Sequence, residues 1–256
     1  MKFSIKKTLF LEVFRKIKPA PSLFFYMLLF DAMFLLSIYS ANKIVGVFSE
    51  GRIILPIYAL AYMLLYFLIF AALYSFFKYS ILHFIKSMFE KSDLNFGRFG
   101  KFYLINIIIF FVFGAIFFIL SAIIPFLIVE SYQKLVLRIA LILFLFFAYS
   151  FLNICHSYFA SGKNPVSAAL SFTFKKIPSY IPVFLGSVLF LLAYFIIYAI
   201  IGLIMKYTLF SKPVPMSYNT IYNAAFSIVT IVIFYLINAF NRVYFYLIVK
   251  SKNRGV

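Results

Sequence analysis

Six long apolar runs limit what this chain of 256 residues can fold into. A helix needs about 20 apolar residues to cross the hydrocarbon core of a bilayer, and each run reaches that length. None alternates apolar and polar residues as a barrel strand does, so the pattern predicts helices. The predicted fold is an all-α, polytopic membrane helix bundle in one domain, residues 1–256, with spans at 22–42, 53–77, 102–125, 135–159, 180–205 and 219–249.

The composition favours a membrane protein over a soluble one. Charged residues make up 12% of the chain and hydrophobic residues 66%, whereas about 25% of the residues in a soluble domain are charged. The formal net charge of +18 would suggest nucleic acid as the partner of a soluble protein. Here the basic residues lie in short connections between apolar runs. Anionic lipid headgroups are therefore the expected partner, and nucleic acid is not.

The basic residues predict the orientation of the spans. Eighteen of the 24 Lys and Arg residues fall before span one, between spans two and three, between spans four and five, or from Arg242 to the end. Cytoplasmic loops carry such an excess in membrane proteins. We therefore expect a multi-pass protein of the cell membrane with its N-terminus and its C-terminus in the cytoplasm.

Three of the cytoplasmic segments mix aromatic and aliphatic residues with lysine at roughly helical spacing. This spacing predicts amphipathic helices in the headgroup layer, with plain solvated linkers as the alternative. Asn164 is a suitable N-cap and Pro165 a suitable first residue for the third helix. The segments are SIKKTLFLEVFRKIK within residues 1–20, YSILHFIKSMFEK at 79–91 and PVSAALSFTFKK at 165–176.

A similar stretch precedes each odd-numbered span. FRKIKPAPS at 14–22 resembles FKKIPSYIP at 174–182, and FGRFGKFYL at 96–104 lies midway between them without the prolines. The spacing predicts a parallel three-fold repeat of about 80 residues, each unit an interfacial helix and a helical hairpin. Lysine-aromatic stretches before a span also arise for orientation alone, so both interpretations stay open.

The stretch ALSFTFKKIPSYIPVFLGSVLFLL at 169–192, together with the six-span layout, resembles a loose group of prokaryotic membrane proteins. The group includes the membrane domain found beside some glycerophosphodiester phosphodiesterases. The resemblance implies a six-span helical membrane fold, and it brings no catalytic residues with it.

The residues predict neither an enzyme nor a cofactor. The patterns GxSxG, HExxH, GxxxxGK[ST] and GxGxxG do not occur, and two histidines with one cysteine are too few for a zinc site of familiar spacing. Cys155 and His156 are adjacent, but neighbours on a helix point about 100° apart, which argues against a catalytic pair. We predict no catalytic residue, no metal and no cofactor.

Polar side chains inside the predicted spans form a candidate functional site. Asp31 lies nine residues past the start of span one, and Arg242 lies seven residues before the end of span six. These positions are about 13 Å and about 10 Å deep, so the two charges can meet at one level. Intramembrane carboxylates generally face a bundle interior and a partner. The candidate polar cluster consists of Asp31, Asn106, Asn153, His156, Asn238, Asn241 and Arg242.

The candidate cluster has three interpretations: hydrogen bonding that holds helices together, the path of a substrate or ion, and a contact with a partner membrane subunit. The second favours a transporter or permease. In an exporter, residues 1–18 would be the interfacial N-terminal helix and residues 78–98 would contact a cytoplasmic ATPase, by similarity of layout. The alternative function is a non-transporting membrane scaffold or lipid-organising protein, which the basic segments favour.

Exchanging Asp31 and Arg242 tests whether they pair. Asp31→Arg and Arg242→Asp are each expected to lower the yield of monodisperse protein, because each places two like charges together in a site of low polarity. The double exchange is expected to restore the yield, measured by size-exclusion chromatography in detergent. A double variant no better than either single variant would contradict the pairing.

Overall fold

The protein is all-α in the computed structural model, which describes residues 3–49, 56–93, 95–162, 165–208 and 216–253. No strand occurs within these residues. The helices are α1 (Phe3–Ile17), α2 (Pro21–Ser49), α3 (Pro56–Ser87), α4 (Phe99–Leu127), α5 (Glu130–Ala160), α6 (Pro165–Lys175), α7 (Ile177–Thr208) and α8 (Met216–Asn253), with a 3-10 helix at Phe96–Arg98.

Six of these helices are long and apolar enough to cross a membrane, which confirms the predicted number of spans. Their large apolar side chains are mostly exposed; Phe118, Phe126 and Leu127 of α4 are exposed by 74%, 89% and 75%. A surface of this kind needs apolar surroundings. The candidate spans are Pro21–Lys43, Leu60–Ser87, Phe96–Leu127, Glu130–Ala160, Ile177–Ile204 and Tyr222–Ser251.

Helix α3 is longer than the sequence predicts. Span two was expected to end at residue 77 and a separate interfacial helix to cover 79–91, but α3 continues without interruption to Ser87. The physical reason is a buried face whose members step by three or four residues from Ala71 to Ile85, across the expected break. That face consists of Ala71, Ser75, Lys78, Leu82 and Ile85.

The other two short segments do form separate helices, α1 and α6. Helix α6 begins at Pro165 as predicted, whereas Asn164 lies outside the described residues. In the middle segment, only the 3-10 helix at Phe96–Arg98 precedes α4. A short helical segment therefore comes before two long helices three times in the chain. The sequence repeat and the placement of these segments in the headgroup layer stay predictions.

Glycine and proline residues, which typically interrupt helices, lie near several helix ends. Gly162 has a φ of +79° and closes α5, where its N–H donates to the Phe159 carbonyl at 3.1 Å. This is the left-handed position that glycine adopts without a Cβ clash. Pro125 lies inside α4 near its end rather than in the connection, and Pro178 is in the first turn of α7, where its missing N–H is not needed. Gly51, Pro213 and Pro215 lie outside the described residues.

The chain divides into two compact units. The larger unit, Lys16–Lys175, contains α2 to α6. The smaller unit combines the described parts of Met1–Arg15 and Lys176–Val256, and it contains most of α1 together with α7 and α8. The single-domain organisation stays a prediction.

Aromatic side chains pack neighbouring helices of the larger unit against each other. Phe34 and Phe30 of α2 contact Tyr74 and Phe84 of α3, at ring-centroid distances of 6.0 and 5.2 Å, so the two helices are antiparallel. Such pairs contribute about 0.5–1.5 kcal/mol each beyond the area that they bury. The corresponding pairs are Tyr79–Phe102 and Tyr74–Phe110 for α3 and α4, and Phe102–Phe159 and Phe113–Phe151 for α4 and α5.

In the smaller unit, α7 and α8 form an antiparallel hairpin. Tyr198 stacks on Tyr222 with ring centroids 4.7 Å apart, and a Cβ added to Gly202 would lie 2.7 Å from the Tyr222 hydroxyl. The absence of a side chain at Gly202 therefore lets the two helices approach closely. Helix α1 packs on α8 through Phe14 and Phe240, whose ring centroids are 4.9 Å apart.

The end of α5 gives a test of the fold. Gly162→Ala is expected to lower the free energy of unfolding by about 1–2 kcal/mol, because an L side chain is strained at this φ. The measurement is thermal unfolding in detergent. Gly114→Ala is the matched control, since nothing lies within 4 Å of its added Cβ and alanine favours the helix. Equal stability of the two variants would contradict the assigned role of Gly162.

Candidate functional site

Three candidate spans of the larger unit bring five polar side chains together in its interior. Their exposed fractions are between 0% and 6%. Ser75 and Lys78 come from α3, Asn106 from α4, and Asn153 and His156 from α5. We call these five residues the inner polar cluster.

One part of the inner polar cluster is a chain of hydrogen bonds across three helices. The Asn106 Nδ2 atom donates to the Ser75 Oγ atom at 2.9 Å, and the Asn106 Oδ1 atom lies 2.7 Å from the His156 Nε2 atom. Because the amide oxygen can only accept, the His156 Nε2 atom carries the hydrogen and donates it. Asn106 thus connects α3 to α5 with both ends of its side chain.

The second part of the cluster holds a lysine. The Lys78 Nζ atom donates to the Asn153 Oδ1 atom at 3.1 Å, and the Asn153 Nδ2 atom donates to the Tyr149 carbonyl at 2.9 Å. Ser75 and Lys78 are three residues apart on α3, and so are Asn153 and His156 on α5. Residues at this spacing share a helix face, so both parts lie between the same two helices.

Aromatic rings enclose the histidine of the cluster. The Phe102 ring centroid is 4.9 Å and the Tyr74 ring centroid 6.2 Å from that of His156. Phe102 itself is fully buried. These rings replace water around the imidazole, and a hydrogen bond is electrostatically stronger in such surroundings than in water.

Lys78 is a correction to the sequence analysis. The pattern of basic residues places it in the cytoplasmic connection between spans two and three, but it is 6% exposed and lies inside α3. A lysine after an apolar run commonly marks the end of a span, which made this interpretation reasonable. Ser75 was also missed. In the sequence, Ser75 and Lys78 are three residues apart, in a stretch without glycine or proline. A continuous helix with both residues on one face could have been predicted from this spacing.

The structure brings together three of the seven predicted site residues, namely Asn106, Asn153 and His156. Asp31 is 3% exposed on α2 in the larger unit. The remaining three residues lie on α8 in the smaller unit. There the Ser187 Oγ atom donates to the Asn241 Oδ1 atom at 3.2 Å, and Asn238 and Arg242 are half-buried. The pairing of Asp31 with Arg242 stays a prediction.

Within the described ranges, no three His, Cys, Asp or Glu side chains are grouped so that they could hold a metal ion.

Comparisons with protein-family models, curated proteins and solved structures find no match. The class of protein therefore rests on the chain itself. Its six long apolar helices define a multi-pass integral membrane protein with a polar cluster inside its larger unit.

A double-mutant cycle tests the bond between Asn106 and His156. Asn106→Ala, His156→Ala and the double variant are expected to give a coupling free energy of about 0.6–1.7 kcal/mol, the range found for polar contacts between membrane helices. The measurement is equilibrium unfolding in detergent. Ser37→Ala is the control partner, because the Ser37 Oγ atom donates only to Met33 of its own helix. A coupling as small as that of Asn106 with Ser37 would contradict the bond.

Proposed function

We propose that this protein is transporter- or permease-like, with the inner polar cluster lining the path of a small polar or charged solute. The observation that carries this proposal is the buried lysine, Lys78. It lies nine residues before the end of the candidate span Leu60–Ser87, about 14 Å along the helix axis. Lys78 therefore lies between the middle and the end of this candidate span.

Energetics favour a functional role for Lys78 over a purely structural one. A lysine at the centre of a membrane helix costs about 2.5–3.5 kcal/mol. A single polar contact between membrane helices, such as the hydrogen bond of Lys78 to Asn153, contributes about 0.6 kcal/mol on average, which is less than that cost. An apolar residue would hold α3 and α5 together at lower cost. Ionisable groups at such positions generally belong to substrate, ion or proton paths.

The hydrogen-bonded chain adds groups that suit a solute path. The His156 imidazole has one donor and one acceptor nitrogen in its neutral form. Asn106 and Ser75 present donors and acceptors that can rotate between partners. A path lined by one cation and several neutral polar groups can donate hydrogen bonds to a passing anion. It can also pass a proton along a chain of hydrogen bonds. This chemistry supports a path inside the larger unit.

The orientation and the partners are part of the proposal. Both chain ends are placed in the cytoplasm of a cell, with anionic lipid headgroups against the exposed side chains of Arg15, Lys18, Lys175 and Lys176. In the exporter version, residues 1–18 would be the interfacial N-terminal helix. Residues 78–98, of which 78–87 form the end of α3, would contact a cytoplasmic ATPase.

A second candidate function is a membrane scaffold or lipid-organising protein. The exposed basic residues just described support it, because each Lys or Arg near an anionic membrane surface contributes about 1 kcal/mol of attraction. A scaffold needs no path through the membrane. It would bind anionic vesicles and move no solute.

Flux through reconstituted liposomes separates the two functions. The purified chain is reconstituted into vesicles that contain a pH-sensitive dye or a chloride-sensitive dye, and a proton or chloride gradient is applied. Flux above that of protein-free vesicles is expected from the wild type. Lys78→Gln is expected to reduce it at least tenfold, since it removes the amine of the inner polar cluster.

Lys101→Gln is the matched control, because it removes one positive charge from an exposed position of α4 and should leave the flux unchanged. Size-exclusion chromatography shows that each variant is folded. Flux equal to protein-free vesicles for both ions, or equal flux in wild type and Lys78→Gln, would contradict the proposed path and leave the scaffold.

A further inference from the structure

A small cavity lies beside the ends of three candidate spans of the larger unit. Its volume is about 260 Å³, slightly below the range of about 300–1,000 Å³ for pockets that take drug-sized ligands. A small polar group fits such a space better than a large molecule. The residues that matter for its chemistry are Tyr79, His83, Lys86, Asp93, Arg98 and Phe159.

The cavity lies at the edge of the apolar part of the unit. The second candidate span ends at Ser87, the third begins at Phe96, and the fourth ends at Ala160. All three boundaries are therefore next to the lining residues. Lipid phosphates lie at the ends of membrane spans, beyond the hydrocarbon core.

Arg98 is held in place at the wall of the cavity. Its Nη2 atom donates to the Phe159 carbonyl at 3.0 Å, and its guanidinium carbon lies 4.7 Å from the centroid of the Phe159 ring. A guanidinium has five N–H donors, and this is the one hydrogen bond that the Arg98 side chain makes within the described residues. A pre-positioned guanidinium of this kind binds phosphate oxygens with little further loss of entropy.

Lys86 gives the lining a positive character, and His83 adds a hydrogen-bonding group. Lys86 is 4.0 Å from the Glu90 carboxylate, with both side chains partly exposed at 32% and 45%, and such an ion pair contributes little. Its ammonium is therefore readily shared with a ligand. His83 makes no hydrogen bond to another described residue. Asp93 is the opposing charge in the lining and weakens the attraction of an anion.

The connection that forms one wall is fixed by hydrogen bonds. The Tyr79 hydroxyl donates to the Asn95 carbonyl at 2.5 Å, and the Asn95 Oδ1 atom accepts from the Gly97 N–H at 2.9 Å. These bonds tie the segment before the 3-10 helix to α3. This wall of the cavity is therefore held in place by hydrogen bonds to α3 and to the start of the 3-10 helix.

We propose that this cavity binds a phosphate-bearing group through Arg98, Lys86 and His83. A phospholipid headgroup and a soluble phosphate ester share this chemistry, and the position at the ends of the spans favours the lipid. The proposal goes beyond the transport function and does not depend on it, because the inner polar cluster and this cavity share no residue.

Native mass spectrometry of the full chain in detergent tests the proposal. The protein is titrated with phosphatidylglycerol and, as the phosphate-free probe, with diacylglycerol of the same chains. Wild type is expected to retain phosphatidylglycerol and not diacylglycerol. Lys86→Gln is expected to weaken retention roughly tenfold, which corresponds to about 1.4 kcal/mol. Asp93→Asn is expected to strengthen the retention of phosphatidylglycerol, because it removes a negative charge that repels the lipid phosphate.

Lys101→Gln again serves as the control for net charge, since Lys101 is exposed and does not line the cavity. Competition by inorganic phosphate or glycerol 3-phosphate at concentrations near the lipid's would assign the site to a soluble phosphate. Weak competition assigns it to the lipid. Equal retention of the two lipids, or equal effects of Lys86→Gln and Lys101→Gln, would overturn the proposal.

Discussion

Lipid offers no hydrogen bonds, so each backbone N–H and C=O inside the membrane must find its partner within the protein. The six long helices are the direct result. The constraint also explains how they end. Where α4 ends, the Gln133 Nε2 atom donates to the carbonyls of Pro125 and Ile128, at 3.1 and 3.0 Å. Where α5 ends, Gly162 takes the left-handed conformation that lets its N–H reach the Phe159 carbonyl. The chain thus satisfies its backbone even at tight connections.

The same constraint changes what holds helices together. Apolar side chains gain little by leaving lipid for a protein interior, so packing and polar contacts decide which faces meet. In the larger unit, aromatic pairs line the contacts between consecutive helices. Asn106 of α4 forms hydrogen bonds to Ser75 of α3 and His156 of α5 at the same time. The inner polar cluster therefore stabilises the unit whatever else it does. A solute path and structural hydrogen bonding are compatible in one set of residues. Lys78 is the member whose burial supports the proposed path.

The charged side chains of the cavity next to Arg98 lie near the ends of candidate spans, whereas Lys78 is buried inside the larger unit. Lys86 and Arg98 line the cavity close to the ends of candidate spans. Lys78 lies on the same helix as Lys86, eight residues earlier. The two lysines of α3 have the same chemistry and different surroundings. One contributes to a buried hydrogen-bonded cluster, and the other to a cavity suited to phosphate.

Much of this protein could be predicted from the residues, and the failures have one cause. Continuous apolar runs determine the helices, their number and their need for lipid, because these properties depend on local composition and length. The polar character of Asn106, Asn153 and His156 within such runs also marked them as members of a site. Lys78 and Ser75 were missed because burial depends on which face of α3 meets α4 and α5. That choice depends on contacts between residues far apart in the chain, so only the tertiary structure decided it.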